Sequence, residues 1–392
     1  MIIALPIIVL AAAPAGHKGL HLGLIAGAAT ALTVATLLGV GHASDGLPGT
    51  RVRRRPFIVL GHLLMLPAAV LLWLGPSYAL LVAGLLITVV ARGATDAAHL
   101  PLLNDMVATE RRGVYSAMIS FMHVLGAAGG ALLVGYLAQE ADRAGGATDF
   151  LGPLALCATA LALAALLLFV VNVKEKARAA QATRLLDLLR ARRGARERAY
   201  FRFMAARTVY LVGVFAVVVF LVYLVEDVYR ATDFKMAAGI YYAVATVASM
   251  AFALPAGYLA DRIGCLPVIY ISGGVQVLSC ALFFSAGAAH PAFAYVAALL
   301  FGGAFGGVFA ASLALSTKLI PRHGDAAKYM ALLLLSTYVA HLVASLVGGA
   351  ALDLCNSISP LSGYLALFFL AELCFLGGGA IFARLQEPSH PQ

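Results

Sequence analysis

"GHASDGLPGTRVRRRPF" (41–57) and "GYLADRIGCLPVI" (257–269) are the two stretches whose reading decides this chain. The first carries Gly41, Ser44, Asp45 and the triplet Arg53, Arg54 and Arg55; the second repeats the skeleton as Gly257, Ala260, Asp261 and Arg262. Both lie between long apolar runs. Charge is scarce elsewhere, since 62% of the 392 residues are hydrophobic, only 11% are charged, and the mean hydropathy is +0.94. One soluble core cannot bury that much apolar surface. The charged stretches are therefore read as hinges of a membrane protein.

A helix needs roughly 20 apolar residues to cross about 30 Å of hydrocarbon. Runs close to that length fall at 2–14, 19–41, 56–74, 78–103, 114–137, 150–172, 207–227, 236–257, 266–286, 292–319, 328–352 and 362–384. None shows the period-2 alternation of barrel strands, and backbone groups in lipid must be satisfied within the segment. The expected fold class is an all-α membrane protein of twelve transmembrane helices. The first run is short, because Pro14 and "GHKG" follow a dozen apolar residues. It reads as a half-helix, or as the remainder of a helix whose true start lies upstream. A cleaved signal peptide is a third reading, though no basic region precedes it.

Lysine and arginine set the orientation. On alternate sides of the runs, one side takes twenty-two of them, eleven between Lys174 and Arg207, and the other takes Lys18, Arg143, Arg230 and Lys235. The basic side is expected in the cytoplasm, with the C-terminus inside. The formal charge of +9 is then a matter of topology and contact with anionic lipid, with no nucleic-acid partner. "KEKARAAQATRLLDLLRARRGARERAYFRFMAAR" (174–207) separates six runs from six, and leucines at helical spacing in "ATRLLDLLRARR" suggest a helix lying on the membrane. The expected domains are 1–173, a basic linker at 174–206, and 207–392.

The hinge at Asp45 joins the second and third runs of its half, and the hinge at Asp261 does the same in the other. "LNDMVATERRGVYSAM" and "STKLIPRHGDAAKYM" are likewise in equivalent places. Such an internal repeat puts a transporter's substrate site between the halves near mid-membrane. "GYLADRIG", from Gly257 to Gly264, resembles the G x L A D R x G loop motif of the major facilitator superfamily. "ASDG…RVRRRPFIVLG" with "GATDAAHLPLLNDMVATERRG" is similar, more narrowly, to the branch of glycoside/cation and sucrose/proton symporters. Asp45 is followed by Gly46 where that branch has Arg, Cys265 and Leu266 replace a basic pair, and most of the first helix is absent. The resemblance implies two six-helix bundles and a cytoplasmic gate at these loops. A carboxylate there can accept hydrogen bonds at a helix N-terminus and pair with arginines when that side is closed. Its residues would be Asp45, Arg53, Arg54, Arg55, Asp105, Arg111, Arg112, Gly257, Asp261, Arg262 and Gly264. A tight turn carrying positive-inside charge is the alternative.

Ionisable residues inside the runs are costly and generally face the bundle interior. Thr88, Arg92, Asp96 and His99 follow at steps of four, four and three, placing them on one helical face. An arginine holds a neighbouring carboxylate ionised while desolvation protonates it, a balance suited to proton exchange. His123 and His341 lie near mid-membrane and could bind a hydroxylated ligand. A static buried ion pair and hydrogen-bonded packing histidines are the alternatives. Gly126 and Gly130, and Gly302 through Gly307, have the spacing of close helix crossings.

Five cysteines without CxxC or Cys/His spacing support neither a disulfide frame nor a zinc site. No GxxxxGK[ST] or GxSxG lies in a strand-turn-helix context. Together these readings point to a non-enzymatic secondary transporter without cofactors. It would be a multi-pass monomer of a bacterial inner membrane, moving a sugar or glycoside with a proton or sodium ion. Arg92, Asp96, His99, His123 and His341 are the expected coupling and substrate residues. Efflux of drugs or metabolites, and a non-transporting role in assembling membrane complexes, are the other readings.

Overall fold

The computed structural model describes residues 2–12, 17–46, 54–74, 77–106, 112–146, 148–173, 194–285, 291–320 and 326–385. Among them are thirteen helices and no strand. They are α1 (Ala4–Ala12), α2 (Lys18–Gly46), α3 (Arg55–Leu74), α4 (Tyr78–Met106), α5 (Arg112–Arg143), α6 (Leu151–Asn172) and α7 (Ala195–Val218). The chain continues through α8 (Leu221–Asp227), α9 (Phe234–Ile263), α10 (Cys265–Ser285), α11 (Pro291–Leu319), α12 (Ala326–Ile358) and α13 (Ser362–Phe382). Eleven of these, all but α1 and α8, are long and apolar enough to cross a membrane. The surface agrees with a lipid solvent: Leu161, Leu254, Phe369 and Trp73 are all exposed, a state that water would penalise.

The first run, read as a half-helix or a truncated one, forms nine residues of helix, with Ile3, Ile7, Ile8 and Val9 buried where α1 meets α2, α5 and α8. Two features depart from the sequence expectation. The seventh run is broken, because Val219 and Phe220 form a turn, Phe220 with φ −101° and ψ 10°, that separates α7 from the seven-residue α8. Helix α7 also starts at Ala195, inside the stretch read as linker. Its first turns look too charged to be a span, yet Tyr200, Phe203, Ala206 and Tyr210 recur at helical spacing and are all buried. Tyr200 donates to the Tyr329 carbonyl at 2.6 Å, and Arg202 reaches the Arg384 carbonyl at 3.1 Å. The expected surface helix at "ATRLLDLLRARR" lies outside the described residues.

The tightest helix crossing joins α9 and α11. A Cβ built on Gly302 would land on the Ala245 carbonyl oxygen, and one on Gly306 would land on that of Ser249. Backbone cannot yield as a side-chain tip does, so Gly306→Val is expected to cost about 2 kcal/mol or more. A lowered melting temperature of the solubilised protein is the readout. Gly379→Val on α13, where a Cβ meets nothing within 4 Å, should leave it unchanged. The glycines of α5 behave differently: Gly126 and Gly130 have open space beside them and line a cavity.

Helices of the first half meet those of the second along two seams, α2 with α12 and α5 with α9. Both seams are closed at one end. On α2 the approaches run from Gly19 beside Asp353, through Gly23 against the Ser345 carbonyl and Gly27 against Leu346, to Thr30 beside His341. On α5, Gly135 meets the Lys235 carbonyl, and Gly239 of α9 meets that of Ala131. Toward the opposite, arginine-rich end, a Cβ on Gly39 or Gly257 would meet nothing within 4 Å. Open space thus stands beside α2 and α9 at these two positions.

Candidate functional site

Two cavity lobes meet at Arg92: the smaller lies between the halves, and the larger lies within the first half, with Tyr242 its one lining residue from the second. The smaller lobe, about 210 Å³, is walled by Thr30 and Thr33 of α2, Val89 and Arg92 of α4, Phe215 of α7, and Thr337, Tyr338 and His341 of α12. The larger, about 620 Å³, has a mainly aliphatic wall crossed by a polar strip of Thr88, Arg92, Asp96, His123 and Tyr242. Arg92 borders both. Its Nε lies 3.4 Å from Asp96 Oδ2, a pairing one helical turn apart on α4. The Arg92 side chain is 56% exposed, and Asp96 is the carboxylate it meets. Arginine presents a fixed fork of donors, and a carboxylate beside it supplies acceptors. A polar solute at this point would find both.

Four of the five expected coupling residues border the cavity: Arg92, Asp96 and His123 in the larger lobe, and His341 in the smaller. His341 Nδ1 is 2.7 Å from Thr30 Oγ1, and its ring meets Phe215 edge-on with centroids 4.8 Å apart. It therefore bridges the halves at the point where the seam ends and the cavity starts. His99 is placed elsewhere: its ring packs edge-on against Phe169 of α6, centroids 5.6 Å apart, and it borders neither lobe. A helical face is right about direction but says nothing of which neighbour stands at each level.

Several of the expected gate residues lie at the arginine-rich end. Arg262 stacks on Tyr258 of its own helix, 4.4 Å from the ring, and Asp261 is exposed. Gly264 has φ 95°, a left-handed cap that ends α9, with its N–H donating to the Ala260 carbonyl at 3.1 Å. Arg55 Nη2 donates to the Val170 carbonyl at 2.9 Å, tying α3 to α6 within one half, and Arg54 sits at the start of α3. Arg53 and Arg111 lie outside the described residues, as do the side chains of Asp45, Asp105 and Arg112.

Ion pairs close the opposite end, and reading the sequence missed them. Lys18 Nζ donates to Glu226 Oε2 at 3.0 Å and to Asp227 Oδ1 at 2.9 Å, clasping α2 to α8. Tyr364 of α13 donates to the other oxygen of Asp227. Asp353 of α12 accepts the N–H groups of Gly19 at 3.0 Å and Leu20 at 2.7 Å, capping α2 from the other half of the molecule. On the second seam, Lys235 Nζ pairs with Asp142 Oδ1 at 2.9 Å, and Arg143 Nη2 with Asp233 Oδ1 at 2.9 Å. One signal was available: on the side poor in basic residues, Lys18, Arg143 and Lys235 are three of four, and each proves to be paired with a carboxylate.

The Lys18 clasp is a little over a quarter exposed on each partner, so its worth lies between that of surface and buried pairs, about 2 kcal/mol. Lys18→Met leaves two carboxylates facing each other and should loosen this end. Leu352→Cys, at a buried position against Gly19, should then react with a maleimide roughly tenfold faster or more.

The sequence matches the family model of the Major Facilitator Superfamily over residues 1–345. The chain belongs to that superfamily. No curated protein matches it. Among solved structures, a point mutant of the nucleoside transporter NupG is similar at a TM-score of 0.70 and 13% identity, over 97% of this chain and 98% of that one. A bacterial homologue of the iron transporter ferroportin in its inward-facing state gives 0.68 and 16% identity, over 98% and 96%. Its outward-facing state with soaked iron gives 0.60 and 16%, over 97% and 93%. At these identities the likeness is one of fold. This superfamily member is thus a multi-pass transporter with a small-molecule cavity between its halves.

Proposed function

We propose that this superfamily member is a secondary active transporter that moves a small hydroxylated solute, a sugar or glycoside, by alternating access, driven by a proton or another cation. The observation that carries the reading is the Arg92–Asp96 pair, set where the two lobes join. Donors on Arg92 and acceptors on Asp96 suit a solute bearing hydroxyls, and ionisable residues inside a span mark ion and solute paths.

The arginine-rich end is the cytoplasmic one on the positive-inside rule, in a bacterial inner membrane. The closed clasp of Lys18, Glu226 and Asp227 is then the outer gate, and the cavity opens inward. Two bundles, 1–173 and 195–392 with the basic linker between, rock about His341 and Thr30. The loops at Asp45 and Asp261 serve as the inner gate once the cavity closes on that side, Arg53 to Arg55, Asp105, Arg111 and Arg112 supplying its charge. The transporter works as a monomer.

Cells expressing the protein, energy-depleted and lightly buffered, test this with a panel of sugars and glycosides. Alkalinisation of the medium on adding one of them is the expected result. With sodium in place of a proton, uptake of that solute would instead need sodium and leave pH unchanged. Failure of every sugar under both ion gradients would overturn the reading.

A further inference from the structure

The clasp at the closed end carries more negative charge than positive. Lys18 Nζ meets two carboxylates, Glu226 Oε2 at 3.0 Å and Asp227 Oδ1 at 2.9 Å. Lys235 of α9, the other lysine near Glu226, is already paired with Asp142 of α5. Asp353 of α12 adds no cation, being occupied by the N–H groups that start α2. The tyrosines beside the clasp are neutral donors: Tyr223 of α8, whose ring centre lies 5.0 Å from Lys18 Nζ, and Tyr364 of α13. The described part of α1, which packs on α8, has no ionisable side chain. One lysine therefore balances two carboxylates, and one negative charge is left over.

The two carboxylates are not equivalent. Donors engage both oxygens of Asp227, Lys18 on Oδ1 and the Tyr364 hydroxyl on Oδ2, and such donors favour the ionised form. Glu226 receives Lys18 on Oε2 alone among the described residues. Burial, helped by the charge of Asp227, raises its pKa above the ordinary carboxylate range against the pull of Lys18 and Lys235. A protonated carboxyl still accepts through its carbonyl oxygen, so Glu226 keeps its bond from Lys18 when it takes a proton. That proton removes the surplus charge and breaks no contact.

We infer that closing the Lys18 clasp takes up a proton on Glu226, which makes the outer gate a latch that shuts with a proton aboard. Opening swings α8 away and returns Glu226 to water, where its pKa falls back to the ordinary range. The state with the higher pKa binds the proton more tightly, so acid favours the closed latch. The advantage is complete below the ordinary carboxylate range, about 4.3, and is lost as pH rises through the raised value. In a carrier driven by protons, shutting the outer face and capturing an external proton become one event, at a site separate from Asp96. The inference rests on the proposed function only for the side of the membrane that the clasp faces.

The test needs no solute. Leu352→Cys, in protein whose five native cysteines are replaced, reacts with N-ethylmaleimide only as this end opens, because Leu352 is buried against Gly19. Its rate is measured with Glu226 present and with Glu226→Gln, which fixes the neutral form and keeps an acceptor for Lys18. The same thiol reacts in both proteins, so its own ionisation, and that of His17 and His21 at this end, cancels in the ratio. At pH 8 the Glu226 protein is expected to react about threefold faster or more, and at pH 5 the two rates should converge. A ratio that does not change with pH, or a faster reaction of Glu226→Gln at pH 8, would overturn the latch.

Asp227→Asn supplies the second check. With that carboxylate neutral, Lys18 and Glu226 balance each other and no charge is left over, so Glu226→Gln should no longer slow labelling at pH 8. Slowing of the same size in that background would show that Glu226 acts without regard to the charge count, and would overturn the inference. Sidedness is read in vesicles of known orientation by changing the pH on one face at a time. A response to external pH alone is expected. A response to internal pH alone would overturn the orientation given under the proposed function and leave the proton on Glu226 standing.

Discussion

Gly23→Val is expected to hold the outer gate open and stop transport while leaving the protein folded. Any Cβ at this position lands on the Ser345 carbonyl oxygen and lies 3.2 Å from the Gly349 Cα, so α2 and α12 must move apart to admit it. The two helices belong to different halves. Overpacking of about 1–3 kcal/mol therefore falls on the closed outer seam and on nothing that holds either half together. A bias of that size shifts a two-state equilibrium by roughly tenfold to a hundredfold. Spin labels at Leu24 and Ile358, both exposed on the outer parts of α2 and α12, should report a longer distance. Gly39→Val, on the same helix where a Cβ meets nothing within 4 Å, should change neither distance nor flux in this state. A Gly23→Val protein with the distance and turnover of the parent would refute the assignment of this seam as the gate.

Asp96→Asn should abolish solute-driven proton movement yet spare exchange of labelled for unlabelled solute. The amide has the shape of the carboxyl and can still meet Arg92, but it cannot take up or release a proton. Net symport requires that proton; exchange does not, because the carrier returns loaded. Parallel loss of flux and exchange would mean that Asp96 holds solute and the coupling lies elsewhere. An unchanged proton flux would remove it from both roles. Since Arg92 and Asp96 form an ion pair, Arg92→Met removes both that pair and the donors offered to solute. That variant should lose flux as well, and the double variant should do no worse than the worse single one, as neighbours in one network do.

Much of the architecture was legible because the membrane imposes one rule. A span needs length and apolarity, and the runs beginning near residues 19, 56, 78 and 362 turn up as α2, α3, α4 and α13 with little change. Where the rule gives way to packing, the sequence misleads. The start of α7 is hidden by Arg196, Arg198 and Arg202, although Tyr200 and Phe203 are wholly buried. The pause at Val219 and Phe220 lies inside an unbroken apolar run, with no proline or glycine to mark it.

The candidate site divides in the same way. Arg92 and Asp96 declare themselves, since charge in the middle of a span is rare. Lys18, Asp227 and Asp353 look like ordinary solvated helix ends, and only the fold brings residues more than 200 positions apart into one clasp.

The break between α7 and α8 has a kinetic consequence. The seven residues of α8 carry both carboxylates that hold Lys18, and a joint at Val219 and Phe220 lets them turn without dragging the 24 residues of α7. Release of the outer face then divides into two relaxations, a local swing of one short segment and a slower collective rotation, as loop-scale and domain-scale motions do. A fluorophore on α8 would record both phases, whereas one on α12 would record the slow phase alone. Between them lies a brief interval in which the shutter is ajar before the body has turned.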